Sequence, residues 1–279
     1  MTVRIGVIGA GGMGRAHIQR IEEELSGGRV VAIADVNLPG AQAVAGPLGA
    51  RAYATGAELI ADPDVDAILI ATFGSVHAPD VLAAVQAGKY VLCEKPLTTL
   101  AEDAVQILQA EQAAGKKLVT VGFMRRFDAG YQEMRDALVS GELGYATLVH
   151  CRHRNPTVPE GYKTRNMIDD TAIHEIDTCR YLLGEEIVRV RIDTPRSTSH
   201  RFEHLADPLV LVAYTESGVR IDDEVNVNIG FGYSIECELV MEQGTIRLGD
   251  QEHTLTRDAA GNRNAICRSH IDRFHAAFN

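Results

Sequence analysis

Lys95, Asp170, His174 and Asp177 are the residues of this sequence best suited to moving a proton and a hydride. Histidine titrates near neutrality, which suits a base that removes a hydroxyl proton while hydride leaves the same carbon. Spacings of four and three predict that Asp170, His174 and Asp177 share one face of a helix, so that a carboxylate can orient the imidazole and tune its basicity. Lys95 stands in Glu94-Lys95-Pro96, directly after an apolar strand pattern, where its ammonium can hydrogen-bond a substrate hydroxyl and stabilise a developing alkoxide. Met124-Arg125-Arg126-Phe127-Asp128 adds two cations, for which ordinary salt bridging is the plain alternative, above all at Arg126.

A departing hydride needs an acceptor, and the start of the chain offers a place for one. Val3 to Ile8 reads as a buried strand that breaks into Gly9, Gly11 and Gly14, the G-x-G-x-x-G spacing of a strand turning into a dinucleotide-binding helix. Gly9 serves the tight turn, Gly11 the approach of backbone to a pyrophosphate, and Gly14 the packing of helix on strand. The helix N-terminus then presents unpaired N–H groups and a positive dipole end. A second β-branched run, Val30 to Ala34, ends in Asp35, twenty-one positions after Gly14. That is the expected place of the acid that binds the adenosine ribose. No basic residue follows in Val36-Asn37-Leu38, and a carboxylate repels a 2′-phosphate, so NAD is expected rather than NADP.

Positioning these groups requires a parallel sheet first. Strand and helix patterns alternate from Val3 to Gly122, with strands also expected at Arg51 to Tyr53, Ala67 to Ala71, Tyr90 to Cys93 and Leu118 to Val121. Ligands of such doubly wound sheets bind beyond the carboxyl ends of the strands, so the loops Thr72 to His77 and Glu94 to Leu97 are expected to face the cofactor. After Gly122 the pattern changes to a helix near Ala129 to Ser140, a strand near Ala146 to Arg154 and a helix from about Asp170 to Leu183. Strands then follow in succession near Val188 to Asp193, Leu209 to Thr215, Val219 to Ile229 and Ile235 to Glu242, with a hairpin at Gln243-Gly244. The expectation is an α/β domain over residues 1–122 and, over 123–279, an α+β domain with an open, mostly antiparallel sheet.

With 279 residues, 46% hydrophobic and 23% charged, the chain has the composition of a soluble globular protein large enough for two domains. A net charge of -11 without a basic stripe argues against nucleic acid. The first apolar run is too short for a membrane anchor and is broken by Arg4 and glycines, so a cytoplasmic protein with no membrane partner is expected. Cys93, Cys151, Cys179, Cys237 and Cys267 form no C-x-x-C pair, and neither they nor the ten histidines fall into a ligand spacing. Reduced thiols and no metal are expected.

The chain resembles the Gfo/Idh/MocA oxidoreductases, which join a Rossmann domain, a Glu-Lys-Pro motif and an Asp-x-x-x-His motif on a helix of the second domain. Here these stand as Gly9-Ala-Gly11-Gly12-Met13-Gly14, Glu94-Lys95-Pro96 and Asp170-Thr171-Ala172-Ile173-His174. The resemblance implies NAD held by Gly9, Gly11, Gly12, Met13, Gly14, Asp35, Thr72, His77, Glu94 and Lys95. It also implies a catalytic set of Lys95, Asp170 and His174, with His174 as acid/base. Gly122-Phe123-Met124-Arg125-Arg126-Phe127-Asp128 and His153-Arg154-Asn155-Pro156 look most like the members that oxidise myo-inositol to its 2-keto product. That likeness implies Met124, Arg125, Asn155, Thr171 and Tyr233 as substrate residues, and a homo-oligomer, tetramer or dimer, built through the sheet of the second domain. The alternatives are another sugar or inositol-isomer dehydrogenase of the family, and an NAD-binding sensor without turnover. Relatives usually continue for several dozen residues past the position of Asn279, and the sequence here ends inside a helical pattern, His270 to Phe278, so a truncated chain is expected.

Overall fold

The computed structural model describes residues 2–230, 233–248, 253–257 and 263–267. The helix expected over His270 to Phe278 lies outside the described residues. The chain forms two compact units, Met1–Gly122 and the residues from Phe123 on.

In the first unit the strands are β1 (Val3–Ile8), β2 (Gly28–Ala34), β3 (Arg51–Tyr53), β4 (Ala67–Ile70), β5 (Tyr90–Cys93) and β6 (Val119–Val121). They form one sheet in the order β3-β2-β1-β4-β5-β6, parallel throughout. The helices are α1 (Gly12–Glu23), α2 (Leu38–Leu48), α3 (Gly56–Ala61), α4 (His77–Gln86) and α5 (Ala101–Ala113). The helices divide between the two faces. Ile18 and Ile21 of α1 and Ala41 and Ala45 of α2 pack with Val7 and Ile33, while Leu59, Val81, Val85 and Ile107 pack with Ile8, Ile68 and Ile70. Burial on both faces explains why these strands read as continuous apolar runs rather than alternating ones. Local chemistry fixes the helix ends: Asn37 Oδ1 caps α2 at the Gly40 N–H (3.2 Å), and Thr55 with Glu58 forms a capping box on α3. Reversal of the strand order at β1 and β4 places the cleft for a ligand beyond Ile8 and Ile70.

The second unit contains α6 (Ala129–Val139), β7 (Ala146–Arg154), α7 (Ile173–Leu183), β8 (Ile187–Asp193), β9 (Leu209–Thr215), β10 (Arg220–Asn226), β11 (Ser234–Met241) and β12 (Thr245–Leu248). Its sheet runs β12-β11-β7-β10-β9-β8; β7 and β10 are parallel and every other pair is antiparallel. A separate antiparallel hairpin joins β13 (His253–Arg257) to β14 (Arg263–Cys267). The expected open, mostly antiparallel sheet is therefore found. Burial alternates strictly along β11, the period of a sheet with one covered face. On that face Tyr131 and Met134 of α6 and Cys179 and Leu182 of α7 pack against Cys151, Ile221, Cys237 and Leu239. The other face carries charges laid across neighbouring strands, Arg152 with Glu236 (2.7 Å) and Arg154 with Glu224 (2.7 Å).

One element departs from expectation. The helix pattern read from Asp170 begins as a π-helical turn, Met167–Ala172, and only then continues as α7, which closes at Gly184 with φ 68°. Such wide turns recur at functional sites.

Candidate active site

The first unit holds a cavity of about 600 Å³ at the carboxyl ends of its strands, lined by the glycine turn, Asp35, Thr72 and the exposed Val36 and Phe73. Gly9 adopts φ 102°, a backbone open to glycine, and a Cβ on Gly14 would stand 1.9 Å from the Gly9 carbonyl oxygen. By contrast, Cβ atoms built on Gly11 and Gly12 meet nothing within 4 Å, so both face open space. No side chain caps the start of α1, and its first turn carries no acid, which leaves the helix end to an anionic ligand. The Asp35 carboxylate accepts from the Ala10 N–H (2.7 Å) and the Asn37 N–H (2.8 Å), one bond on each oxygen. Each oxygen keeps a lone pair for a ribose hydroxyl. The Thr72 hydroxyl is buried without a hydrogen-bond partner among the described residues, an orphan donor that a ligand in the cavity can satisfy. These features fit NAD: Gly11, Gly12 and Met13 would meet its pyrophosphate and Asp35 its ribose.

His77 is the next residue expected at the cofactor. It is fully buried at the start of α4, with Nδ1 2.8 Å from the Pro96 carbonyl and Nε2 3.2 Å from the Thr72 carbonyl. Cys93 Sγ also lies 3.3 Å from Nδ1, so both ring nitrogens face groups of the first unit. His77 thereby links the two loops at the ends of β4 and β5. Glu94 is likewise buried: His17 Nε2 donates to its Oε1 (2.7 Å), and its Oε2 accepts from the Lys95 N–H (3.2 Å). Lys95, half-buried, is the next residue along the chain.

In the second unit the π-helical turn carries Asp170 and Thr171, and α7 carries His174 and Glu175. The Tyr162 hydroxyl binds this turn, 3.1 Å from Asp170 Oδ2 and 2.8 Å from Thr171 Oγ1. Burial pushes the Tyr162 phenol up, so it acts as a neutral hydrogen-bonding group. His174 is buried, and the rings of His153 and His174 lie 6.0 Å apart, tilted by 36°. Tyr233 approaches His153 from another side, edge-on at 6.0 Å. His153, His174 and Tyr233 therefore form one cluster of rings, with the Tyr162–Thr171 pair on the turn that precedes His174. Asn155 leaves the end of β7 with its N–H on the Asn226 carbonyl (2.8 Å), and its carboxamide makes no hydrogen bond among the described residues.

Two of these residues are engaged in ion pairs. Arg125, expected at the substrate, is only 3% exposed, and its guanidinium donates to Glu175. Asp177, read as a possible partner of His174, is gripped in two places by Arg126, Nε to Oδ2 (2.9 Å) and Nη2 to Oδ1 (2.7 Å). Asp170, by contrast, accepts from the Tyr162 hydroxyl. The sequence reading had overlooked Tyr162, and had assigned no task to Glu175. Glu175 did carry a signal, since an acid beside the motif histidine on the buried side of a helix needs a cation.

Comparison with known proteins agrees with this layout. Residues 3–123 match the model of the oxidoreductase family with an NAD-binding Rossmann fold, and residues 131–247 match the GFO/IDH/MocA C-terminal domain. Inositol 2-dehydrogenase 3 of Saccharopolyspora erythraea is 50% identical over 279 residues, all of this chain and 82% of that protein. Inositol 2-dehydrogenase of Pseudomonas syringae is 46% identical over 281 aligned positions, covering 100% of this chain and 84% of that protein. Among solved structures, myo-inositol dehydrogenase from Lactobacillus casei, in complex with NAD(H) and myo-inositol, superposes with a TM-score of 0.93 at 37% identity. That match covers 100% of this chain and 83% of the other.

Proposed function

This chain belongs to the Gfo/Idh/MocA oxidoreductases, and on that premise we propose that it is an NAD-dependent dehydrogenase oxidising myo-inositol to the 2-keto product, scyllo-inosose. The observation that carries the substrate class is the polar cluster of the second unit, where His174, His153, Tyr233 and the Tyr162–Thr171 pair gather hydrogen-bonding groups suited to a polyhydroxylated ring. The names of the relatives at 46–50% identity point to inositol within that class.

In this mechanism the imidazole of His174 takes the hydroxyl proton, and the electron pair left on oxygen forms the ketone as hydride departs from carbon. The Lys95 ammonium steadies the negative charge that develops on that oxygen. Asp170 orients His174, and Tyr162 holds the Asp170 carboxylate in place. Bound NAD supplies the hydride acceptor, C4 of the nicotinamide. Asp35 selects NAD, since its carboxylate bonds ribose hydroxyls and repels a 2′-phosphate.

We also propose a cytoplasmic homo-oligomer, tetramer or dimer. No described helix is long and apolar enough to cross a membrane. Val188, Val190 and Ile192 project from β8 at 60%, 52% and 47% exposure, an apolar row that a partner subunit would cover. Light scattering of the purified protein tests the assembly.

The activity is tested by following NAD reduction with myo-inositol, scyllo-inositol and D-glucose, on the protein and on Lys95→Ala. Fastest turnover with myo-inositol, lost in the variant while NAD still binds, supports the proposal. Fastest turnover with D-glucose, or none with any polyol, refutes it.

A further inference from the structure

The cavity of the first unit is lined by a second acid besides Asp35. Asp80, in the first turn of α4, is half-buried and faces the same space. Its carboxyl lies over the start of α3: a Cβ on Gly56 would collide with Oδ1 and stand 2.9 Å from Oδ2. Neither oxygen makes a hydrogen bond or an ion pair among the described residues. Burial pushes this carboxyl up, against the pull of His77, as for an acid partly withdrawn from water with no donor to meet it. The Thr55 hydroxyl nearby is, by contrast, already engaged with Glu58 in the capping box of α3.

The order of the sheet tells which part of a dinucleotide reaches Asp80. From β1 through β2 to β3, the carboxyl ends of the strands lead to the glycine turn, then to Asp35, then to the loop that enters α3 at Gly56. Neighbouring strands lie about 4.8 Å apart, so these are successive steps across the cavity. Pyrophosphate, ribose and base follow one another in the same order along the adenosine half of NAD. With the pyrophosphate at the glycines and the ribose at Asp35, the base falls at the third step. Val36, Phe73 and Val76 line the cavity at 99%, 84% and 52% exposure, apolar surface for the faces of a flat ring.

The edge of that ring sets the remaining requirement. Adenine carries one hydrogen-bond donor group, its 6-amino group, while its ring nitrogens accept. A carboxyl group keeps an accepting oxygen whether or not the other oxygen carries a proton, so the match holds in either state of Asp80. We propose that Asp80 accepts a hydrogen bond from the 6-amino group of the adenine base and thereby selects an adenine dinucleotide over its 6-oxopurine counterpart. A 6-oxopurine has a carbonyl oxygen in place of that amino group and offers no donor there. This assignment rests on the binding of NAD and not on the substrate proposed above.

The test is calorimetric titration of the full chain, without substrate, against NAD and against nicotinamide hypoxanthine dinucleotide, which differs from NAD by the 6-oxo group. The wild type should bind NAD roughly tenfold more tightly than the hypoxanthine form. Asp80→Ala should bind NAD roughly tenfold more weakly and lose the preference, whereas Asp80→Asn, whose carboxamide oxygen still accepts, should keep most of it. Equal affinities in the wild type overturn the proposal. So does an Asp80→Ala protein that binds both dinucleotides more weakly by the same factor, because that is the mark of a carboxyl that only supports the start of α3. Should Asp80→Ala fail to fold, Asp80→Leu, similar in size and without an acceptor, carries the same comparison. A wild type that binds neither dinucleotide overturns the assignment together with the cofactor. The expected preference in a protein that oxidises no inositol would refute the substrate and leave Asp80 at the base.

Discussion

Asp223 of β10 stands directly opposite Cys151 of β7 in the parallel pair at the middle of the second sheet, and neither oxygen of its buried carboxyl has a hydrogen-bond partner among the described residues. Burial first, then the nearby Glu175 charge and Cys151, push this carboxyl well above its ordinary range. A carboxyl raised in the folded state contributes its full stability below its unfolded pKa, about 3.9, and that contribution is lost as pH climbs from there through the folded value. Asp223→Asn removes the titration. Urea midpoints measured from acid to neutral pH should therefore diverge in favour of the variant, by up to ~1.4 kcal/mol per pH unit above pH ~4. Parallel curves would show that Asp223 is not held neutral.

The glycine turn separates folding from binding. Gly14→Ala forces a Cβ onto the Gly9 carbonyl oxygen and should cost on the order of 1–3 kcal/mol in unfolding free energy. Gly11→Ala meets nothing within 4 Å in the protein, so its melting temperature should match the wild type. Its methyl would still enter the space of the pyrophosphate, and calorimetric titration should show NAD binding weakened roughly tenfold or more, about 1.4 kcal/mol.

Cofactor choice should turn on Asp35 and its exposed neighbour. Val36 is 99% exposed, so Val36→Arg carries no packing penalty. Combined with Asp35→Ser, it should move the ratio of NAD to NADP affinity by roughly tenfold or more toward NADP, as expected when a cation replaces a carboxylate at a 2′-phosphate. An unchanged ratio in paired titrations would remove Asp35 from the ribose.

His77→Ala should lower stability by about 2–4 kcal/mol, because it opens a fully buried space and removes the ring's hydrogen bond to a backbone carbonyl. A cofactor-contacting histidine would instead leave chemical unfolding of the protein without NAD nearly unchanged. The two roles are separated by comparing unfolding with and without NAD.

The first unit was legible because its determinants are local. Gly9, Gly11 and Gly14 lie within one turn, β-branched runs mark the strands, and Asp35 ends the second of them. The site in the second unit was only half legible. Its Asp170-x-x-x-His174 spacing reads as an α-helix, and nothing in a count of four distinguishes that from a wider turn. Asp177 falls on the expected face, but its carboxylate is claimed by Arg126, far away in the sequence. Arg125 and Glu175 are as far apart, and only tertiary packing pairs them. The burial of His77 against the Thr72 and Pro96 carbonyls is likewise a tertiary fact that its sequence neighbours do not announce.

The π-helical turn at Met167–Ala172 makes chain length itself a determinant of the site. Each residue of an α-helix advances the chain by about 100° around its axis. A turn wound wider by about one residue therefore sets the bearing at which Asp170 enters relative to His174. Deleting one residue between positions 167 and 172 would let the segment relax into an unbroken α-helix, regular by every local measure, with its acid rotated away from the imidazole. Point substitutions would test the groups in this loop; a single-residue deletion would test their phase.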